Sequence, residues 1–341
     1  MTRVSVVGGA GYIGGELLRL LTCHPGVTVA AATSTRLAGR RVDGPHPNLR
    51  GSTELTFVHP DDLQRSDVLF LATPHTETMD TMDRYRGLAD VVIDLSGDFR
   101  LRDPDVYRAY YGVAHRAPGL LGSFVPGLPE LHREALRTAD LISVPGCMAT
   151  AAILALHPLA AAGLVPGEVL VDGRTGSSGS GASAGPENVH AERSGAMRVF
   201  APLRHRHEAE VTQATGLPAR MSATGVPAVR GVQVLCHAAL SEGVDASAVR
   251  AAYRAAYDTE PFVRVVAANR GAHRLPDPKI LAGSNFCDVG YAVDAAEGRV
   301  LAVGALDNLV KGGAGGAVQS MNVRLDWPER LGLEFTGLHP I

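Results

Sequence analysis

The chain has 341 residues, 45% of them hydrophobic and 20% charged, and a formal net charge of −3. This length is enough for two domains with separate cores. A slightly acidic chain without a basic tract favours neither nucleic acid nor an anionic membrane surface as a partner. The sequence contains neither a secretory signal peptide nor an apolar run of about 18 residues, so we expect a cytoplasmic protein.

The chain contains four cysteines, Cys23, Cys147, Cys236 and Cys287. They lie far apart and form no C-x-x-C pair, so the spacing indicates neither a zinc site nor a redox dithiol. We therefore expect thiols rather than disulfides, in keeping with a reducing compartment, and no bound metal.

The first motif is rich in glycine. A strand is predicted over residues 3–7, a helix over about 12–22 and a second strand over 27–32, with Gly8, Gly11 and Gly14 at the turn into the helix. Glycines at this spacing let the backbone approach a pyrophosphate at the helix N-terminus. The motif predicts dinucleotide binding; the alternative is a tight turn without a ligand.

The end of the second predicted strand indicates which dinucleotide binds. An NAD site places an acidic residue there, whereas this chain has Ser34, Thr35 and Arg36, with Arg40 and Arg41 close behind. Hydroxyl groups and a guanidinium suit a 2′-phosphate, which favours NADP.

Further strands are predicted over 55–58, 68–72 and 91–95, separated by segments long enough for crossover helices. This alternation predicts a doubly wound, mostly parallel sheet. The segments 73–75 and 96–100 follow strand ends, where open α/β sheets bind ligands. Asp98 and Arg100 are therefore candidates either for ligand contact or for an ion pair that fastens the loop.

The segment 141–163 predicts a short strand, a Pro145-Gly146 turn and a helix over 148–162 that is closed by Gly163. Cys147 would then lie at the helix N-terminus, where the dipole and the unpaired N–H groups favour a thiolate. The sequence therefore predicts a nucleophilic Cys147; the alternative is a buried structural cysteine.

The second half has a different pattern. One helix is predicted over 246–256, and strands outnumber helices, which predicts an α+β domain on an antiparallel or mixed sheet. The predicted strands cover 168–171, 222–226, 231–240, 262–266, 288–293 and 300–305. Residues 172–181 are rich in Gly and Ser, and we expect an irregular loop whose N–H groups and hydroxyls face an anion, rather than a flexible linker.

Two polar segments complete the candidates. If residues 204–210 are helical, His207 and Glu210 share a face, so the carboxylate can orient the imidazole of a general base. Lys311 lies in a Gly-rich turn that precedes an apolar helix over about 318–325.

Six ordered motifs resemble the N-acetyl-gamma-glutamyl-phosphate reductases, NADP-dependent relatives of aspartate-semialdehyde dehydrogenase with a glyceraldehyde-3-phosphate-dehydrogenase-like fold. The motifs are Gly8-x-x-Gly11-Tyr12-x-Gly14, residues 94–100, Pro145-Gly146-Cys147, His205-Arg206-His207-x-x-Glu210, Val226-Pro227-x-x-Arg230-Gly231 and residues 307–312.

Four further segments are more similar to a sister branch of that family. They cover residues 46–51, 193–199, 273–278 and 337–340. That branch reduces aminoadipyl or glutamyl phosphate tethered to a small amino-group carrier protein, in lysine and arginine biosynthesis. Six arginines near these segments are candidates for an acidic carrier surface: Arg40, Arg41, Arg50, Arg193, Arg198 and Arg274.

The resemblance implies roles for individual residues. Cys147 would be the nucleophile and His207 the acid/base, with His205 beside it. The remaining roles concern NADP. The residues that would hold the pyrophosphate are Gly8, Gly11, Tyr12, Ile13 and Gly14. Those that would hold the 2′-phosphate are Ser34, Thr35 and Arg36, and Asn308 would make a further contact. The Rossmann domain would comprise residues 1–146 and 313–341, the catalytic and dimerisation domain 147–312, and the chain would form a homo-oligomer.

The predicted reaction is NADPH-dependent reduction of an amino-blocked acyl phosphate to the semialdehyde through a thioester. Three alternatives stay open from the sequence. They are reduction of the free N-acetyl compound in arginine biosynthesis, an ordinary NADP-linked alcohol dehydrogenase or epimerase that needs no Cys147, and an NADP sensor without turnover.

Overall fold

The computed structural model describes residues 1–183 and 185–341. The chain divides into two compact units. The first comprises Met1–Pro145 and Gly313–Glu334, and the second Gly146–Gly312 and Phe335–Ile341. The predicted division placed Gly146 and residues 335–341 in the first domain, whereas both belong to the second compact unit. Residues 335–341 pack in the second unit, where the backbone of Gly337 lies so close to Ile280 that an added Cβ would stand 2.4 Å from its carbonyl oxygen.

The first unit is built on a parallel sheet. Its strands, as far as the structure describes the chain, are β1 (Thr2–Val7), β2 (Val27–Thr33), β3 (Phe57–Val58), β4 (Ser66–Leu71), β5 (Ala89–Asp94), β6 (Val125–Pro126) and β7 (Leu141–Ser143). Their order is β3-β2-β1-β4-β5-β7-β6, and every pair is parallel. The predicted doubly wound sheet is confirmed.

Five helices belong to the first unit within the described residues: α1 (Tyr12–Thr22), α2 (Thr78–Arg86), α3 (Pro104–Tyr111), α4 (Pro129–Leu136) and α9 (Gly315–Arg324). Helix α9 packs against α1 and α4. The leucines of α1 at positions 17, 18, 20 and 21 are buried, as a helix that covers one face of a sheet requires.

The crossover between β2 and β4 differs from the prediction. The described chain over residues 34–65 contains short 3-10 turns at Pro47–Leu49 and Pro60–Asp62 instead of an α-helix. Apolar residues there are too sparse for a helical stripe, and Val42 and Leu49 anchor the segment individually.

The second unit contains a mixed sheet. Its described strands are β8 (Val169–Thr175), β9 (Arg198–Ala201), β10 (Ala219–Gly225), β11 (Val232–Ala239), β12 (Val263–Val265), β13 (Cys287–Asp294) and β14 (Arg299–Leu306). The order is β12-β13-β14-β11-β8-β10-β9. Pairs β8–β10 and β12–β13 are parallel and the other pairs antiparallel, which confirms the predicted α+β domain.

Helix α5 (Cys147–Ala161) lies at the centre of the second unit. It packs on β11, β13, β14, α7 (His207–Thr215) and α8 (Ala246–Tyr257), so its residues are buried all around the helix rather than along one stripe. Pro158 has no N–H for the carbonyl of Leu154, and the Tyr257 hydroxyl donates to that oxygen at 2.6 Å instead. The other described helices are α6 (His190–Arg193), α7 (His207–Thr215) and α8 (Ala246–Tyr257).

The Gly/Ser run is more regular than predicted. Strand β8 continues through Thr175, and residues Ser177–Ser180 form a 3-10 turn. None of the described helices is long and apolar enough to cross a membrane.

Candidate functional site

The Gly-rich loop between β1 and α1 depends on glycine at two positions. Gly8 has φ +75°, and an added Cβ would lie 2.4 Å from the Ala72 carbonyl oxygen. A Cβ at Gly14 would lie 2.4 Å from the Gly8 oxygen. At Gly11 the nearest described atom, the Gly8 oxygen, would be 3.7 Å away. The fold therefore requires Gly8 and Gly14, whereas Gly11 leaves open space of the kind that a closely approaching pyrophosphate needs.

The same loop opens α1, the helix that would face a phosphate. Gly11 is the N-cap of this helix, Tyr12 and Ile13 are its first residues, and its first turn carries no acidic side chain. His46 supports the loop from beneath, because its Nε2 contacts the Gly9 carbonyl at 2.8 Å and its ring fills the space beside Gly15. The positive end of the helix dipole is thus unopposed by local carboxylates.

Residues at the end of β2 are accessible to a ligand. Thr35 and Arg36 are exposed, and Ser34 is half-buried with its hydroxyl accepting from the Leu37 N–H at 3.2 Å. A serine hydroxyl that accepts one hydrogen bond can still donate its own proton. This group fits a 2′-phosphate better than a 2′-hydroxyl.

Asp98 and Arg100 fasten the backbone of the first unit. The Asp98 carboxylate is fully buried and accepts from the N–H groups of Thr76 and Met79, at 2.6 and 3.0 Å. The Arg100 guanidinium donates to the carbonyls of Val144 and Leu95, each at 2.9 Å. Of the two readings, the contacts favour the structural one, with each side chain fastening main chain.

Cys147 is the first residue of α5 and follows the N-cap Gly146. It is partly accessible, Cys23 is exposed, and Cys236 and Cys287 are buried. Burial raises the pKa of the Cys236 thiol far above its usual range. Cys147 thus combines access with a helix N-terminus whose first turn has no acidic residue, the setting that favours a thiolate.

His207 lies against the residue that precedes Cys147. It is buried at the start of α7, and an added Cβ on Gly146 would stand 2.1 Å from its Nε2 atom. On the other side of the turn, a Cβ on Gly312 would stand 2.6 Å from the Cys147 Cβ. Glycine at these two positions therefore lets His207 pack on residue 146 and residue 312 pack on Cys147, and the four residues form one cluster.

Glu210 and His205 hold this cluster in shape. The buried Glu210 carboxylate accepts from the Gly146 N–H at 2.8 Å, and its other oxygen lies 4.0 Å from His207 Nε2. His205 Nδ1 accepts from the His207 N–H at 3.2 Å, and the two rings meet edge to face at 4.4 Å. Glu210 thus connects the Pro-Gly-Cys turn to the helix that begins at His207, and His205 accepts a hydrogen bond from the first N–H of that helix.

Asn308 is occupied within the second unit. It is buried, and its side chain accepts from the Gly231 N–H at 2.8 Å and donates to the Ser178 hydroxyl at 2.9 Å. Its contact with NADP stays a prediction.

The Gly/Ser run does not present the predicted row of donors. The N–H groups of Gly176, Ser177 and Ser178 donate to carbonyls of residues 228–231, and the Ser178 hydroxyl donates to Val229. The predicted anion loop is therefore wrong, because the loop is hydrogen-bonded to its neighbour.

The sequence alone indicated no function for Arg230, although the residue belongs to the motif Val226-Pro227-x-x-Arg230-Gly231. Its guanidinium meets the buried Asp307 carboxylate at 3.2 Å, and a third of its side chain, 33%, is exposed. No group of three or more potential metal ligands occurs in the described part of the chain.

Comparison with known proteins identifies the two units. Residues 3–139 match the family model "Semialdehyde dehydrogenase, NAD binding domain", and residues 147–308 match "Semialdehyde dehydrogenase, dimerisation domain". Among solved structures, aspartate semialdehyde dehydrogenase II of Vibrio cholerae has a TM-score of 0.72 at 16% identity, over 96% of this chain and 98% of that one. This likeness shows the shared fold.

Relatives with higher sequence identity show which members of the family this chain resembles. The [LysW]-L-2-aminoadipate 6-phosphate reductase of Deinococcus radiodurans is 47% identical over 99% of this chain and 98% of its own length. A Thermomicrobium roseum protein named for the same reaction is 50% identical over the whole of both chains. The chain therefore belongs to the semialdehyde dehydrogenase family, among the relatives of the LysW-linked aminoadipate phosphate reductases.

Proposed function

We propose that this protein reduces a carrier-linked acyl phosphate, LysW-aminoadipyl 6-phosphate or LysW-glutamyl 5-phosphate, to the semialdehyde with NADPH. The observation that carries the proposal is the cluster of a helix-terminal Cys147 with a buried His207 packed on Gly146. Full-length relatives at 44–50% identity named for these substrates support it.

Cys147 begins the chemistry. The thiolate attacks the acyl carbon, an S–C bond forms, and the C–O bond to the phosphate breaks, so that inorganic phosphate leaves with the electron pair. Because an acyl phosphate is already activated, the leaving group needs no protonation by the protein. The helix N-terminus favours both the thiolate and the oxyanion that develops beside it.

His207 handles the proton. When hydride reaches the thioester carbon, the developing alkoxide needs a proton, and the imidazole donates one to give the thiohemiacetal. The same imidazole then removes the hydroxyl proton while the C–S bond breaks, which yields the aldehyde and restores the thiolate. Glu210, 4.0 Å from Nε2, stabilises the imidazolium form that this cycle needs.

The cofactor contributes the hydride, which a reduced nicotinamide supplies when bound. Open space over Gly11 and the N-terminus of α1 fit its pyrophosphate, and we assign the 2′-phosphate of NADP to Ser34, Thr35 and Arg36. The three residues follow β2, where an NAD enzyme would carry a carboxylate.

We assign carrier binding to only part of the arginine set. Arg41 pairs with Asp43 and Glu54, Arg193 donates to the carbonyls of Ala196 and Val226, and Arg198 pairs with Glu192. Arg40, Arg50 and Arg274 are exposed and remain the candidates for an acidic carrier. The matched dimerisation domain supports a homo-oligomer as the working form.

The reverse reaction tests the proposal. Purified protein is given NADP and inorganic phosphate with either carrier-linked aminoadipate or glutamate semialdehyde, or with free N-acetylglutamate semialdehyde. We expect efficient NADPH formation with a carrier-linked compound, weakening as salt rises. Turnover of the acetyl compound with no salt-sensitive gain from the carrier would contradict it.

A further inference from the structure

One cationic side chain in the second unit is held in place by a buried acid but is only partly covered. Arg230 meets Asp307 Oδ2 at 3.2 Å, and a third of its side chain is exposed whereas Asp307 is fully buried. The residues before it, 227–229, are exposed, and Gly231 follows with φ +113°. Arg230 thus extends from an exposed loop over an anchored carboxylate.

Asp307 is well satisfied by the chain itself. Its Oδ1 accepts from the N–H groups of Leu309 and Val310 at 2.8 and 3.3 Å, and its Oδ2 accepts from Gly283 at 2.6 Å. Three backbone donors spread the carboxylate charge and fix its orientation. Asp307 therefore orients Arg230 without depending on it for its own stability.

Two chains of contact connect Arg230 to the reactive cysteine. The Asp307 carbonyl accepts from the Gly312 N–H at 3.0 Å, and Gly312 packs directly against Cys147. Separately, Gly231 pairs with Gly176 just beyond the end of β8, and Met148, next to Cys147, lies against Gly173 of the same strand. Arg230 and Cys147 are therefore at the same end of the second sheet.

A guanidinium is suited to this position. It presents five N–H donors in a planar fork that matches the oxygens of phosphate or carboxylate, and it stays charged at every working pH. The backbone N–H groups of the neighbouring Gly/Ser loop at residues 176–178 already donate to carbonyls of the 228–231 segment, so these three donors do not face an anion.

We propose that Arg230 binds an anionic group of the acyl phosphate substrate, its phosphoryl oxygens or its carboxylate, and that Asp307 is its positioning residue. This rests on the proposed function, since aminoadipyl or glutamyl phosphate carries both a phosphoryl group and an α-carboxylate. Binding through Arg230 orients the acyl carbon toward the cysteine thiolate and explains why the buried Asp307 carboxylate lies beside an arginine that is one-third exposed.

The test uses Arg230→Gln and Arg230→Lys in the full chain, with Arg220→Gln as the matched control. Arg220 also pairs with an acid, Glu168 at 3.0 Å, but stands at the opposite end of β10. KM values for inorganic phosphate and for the semialdehyde are measured in the reverse reaction. Protection of Cys147 from iodoacetamide by inorganic phosphate alone gives a readout without turnover.

We expect Arg230→Gln to raise one of the two KM values roughly 10- to 100-fold, with a smaller rise for Arg230→Lys and none for Arg220→Gln. A higher KM for phosphate, together with lost protection of Cys147, identifies the phosphoryl group as the ligand of Arg230. A higher KM for the semialdehyde identifies the carboxylate as that ligand. Unchanged KM values and unchanged protection in folded Arg230→Gln would overturn the proposal, and Arg230→Lys serves if the glutamine variant fails to fold. If the wild type shows no turnover but phosphate protects Cys147 only when Arg230 is present, the proposed function fails, whereas the assignment of Arg230 to anion binding holds.

Discussion

Two strand-turn-helix units of this protein have the same local plan and different chemistry. Strand β1 leads through Gly8–Gly11 into α1, and β7 leads through Pro145-Gly146 into α5. Both helices begin after a glycine N-cap, and neither first turn contains an acidic residue. The turn between β1 and α1, called the first turn below, leaves space beside Gly11. The turn between β7 and α5, called the second turn, is packed by His207 and Glu210 at Gly146 and by Gly312 at Cys147. A bare helix N-terminus suits a ligand's anion, and one with a packed thiol suits covalent chemistry.

The largest expected effect on turnover comes from filling the second turn. In Gly146→Ala the new Cβ would stand 2.1 Å from His207 Nε2, so the imidazole must move. A displacement of about 1 Å costs a catalytic group roughly 100-fold, and we expect kcat to fall at least that far. NADP affinity should stay within about twofold, below the 1.4 kcal/mol of a tenfold change.

Gly167→Ala is the matched control, because an added Cβ there meets no described atom within 4 Å. Equal activity of the two variants in a steady-state assay would show that the packing of His207 on Gly146 does not matter to turnover.

In the first turn, an added side chain should weaken NADP binding and leave the fold unchanged. Gly11→Ala adds a Cβ that meets only ordinary contact, 3.7 Å from the Gly8 oxygen, so the fold should be unaffected. If a pyrophosphate approaches there, losing one or two charge-assisted contacts should weaken NADP binding roughly 10- to 100-fold. Calorimetric titration with NADP measures this, with Gly119→Ala, an open position in the same unit, as control. An unchanged affinity would remove the distinction between the two turns.

Much of this plan could be predicted from the sequence, because strand, glycine turn and helix leave local signals. The observed α1 has the predicted bounds, and α5 begins one residue before the predicted start. Contacts between distant segments leave no such signal. The Gly/Ser run resembles an anion loop in composition, yet carbonyls about 50 residues away accept its hydrogen bonds. The residue that orients Arg230 is Asp307, which lies 77 positions later in the chain, so no local sequence pattern connects the two.

Near the start of the second turn, at the C-terminal ends of β5 and β7, one buried carboxyl makes the stability of the protein depend on pH. Asp94 ends β5 next to Ser143 of β7, and complete burial raises its pKa to about 7 although Ser96 donates to both carboxylate oxygens. A raised carboxyl pKa means that the native state holds the proton more tightly, so stability falls as pH rises from about 4 to about 7.

Asp94→Asn removes this titration. Above pH 7 the variant should be more stable than the wild type by up to about 4 kcal/mol, with a smaller difference at acid pH. Asp90→Asn, an exposed position on the same strand, is the control. Urea unfolding at several pH values measures the effect, and a constant difference at every pH would contradict it.

The smallest expected effect concerns the hydrogen bond from Tyr257 that stabilises α5 at Pro158. Helix α1 contains no proline and needs no such donor. Tyr257→Phe leaves the Leu154 carbonyl, already deprived of a helical partner by Pro158, without the hydroxyl donor. We expect a loss of about 1–3 kcal/mol in the free energy of unfolding. Tyr253→Phe should cost less, because the Ala155 carbonyl that it contacts keeps its helical N–H partner. Equal losses in thermal unfolding would show that Pro158 places no special demand on Tyr257.

In the proposed reaction Cys147 carries the acyl group as a thioester. The direct measurement incubates the enzyme with NADP and the carrier-linked semialdehyde in the absence of phosphate, so that the acyl-enzyme cannot be released by phosphorolysis. We expect a burst of one NADPH per active site and an acyl adduct located on the Cys147 peptide by mass spectrometry. A burst without an adduct, or an adduct on Cys23, Cys236 or Cys287, would contradict the assignment of the thioester to Cys147.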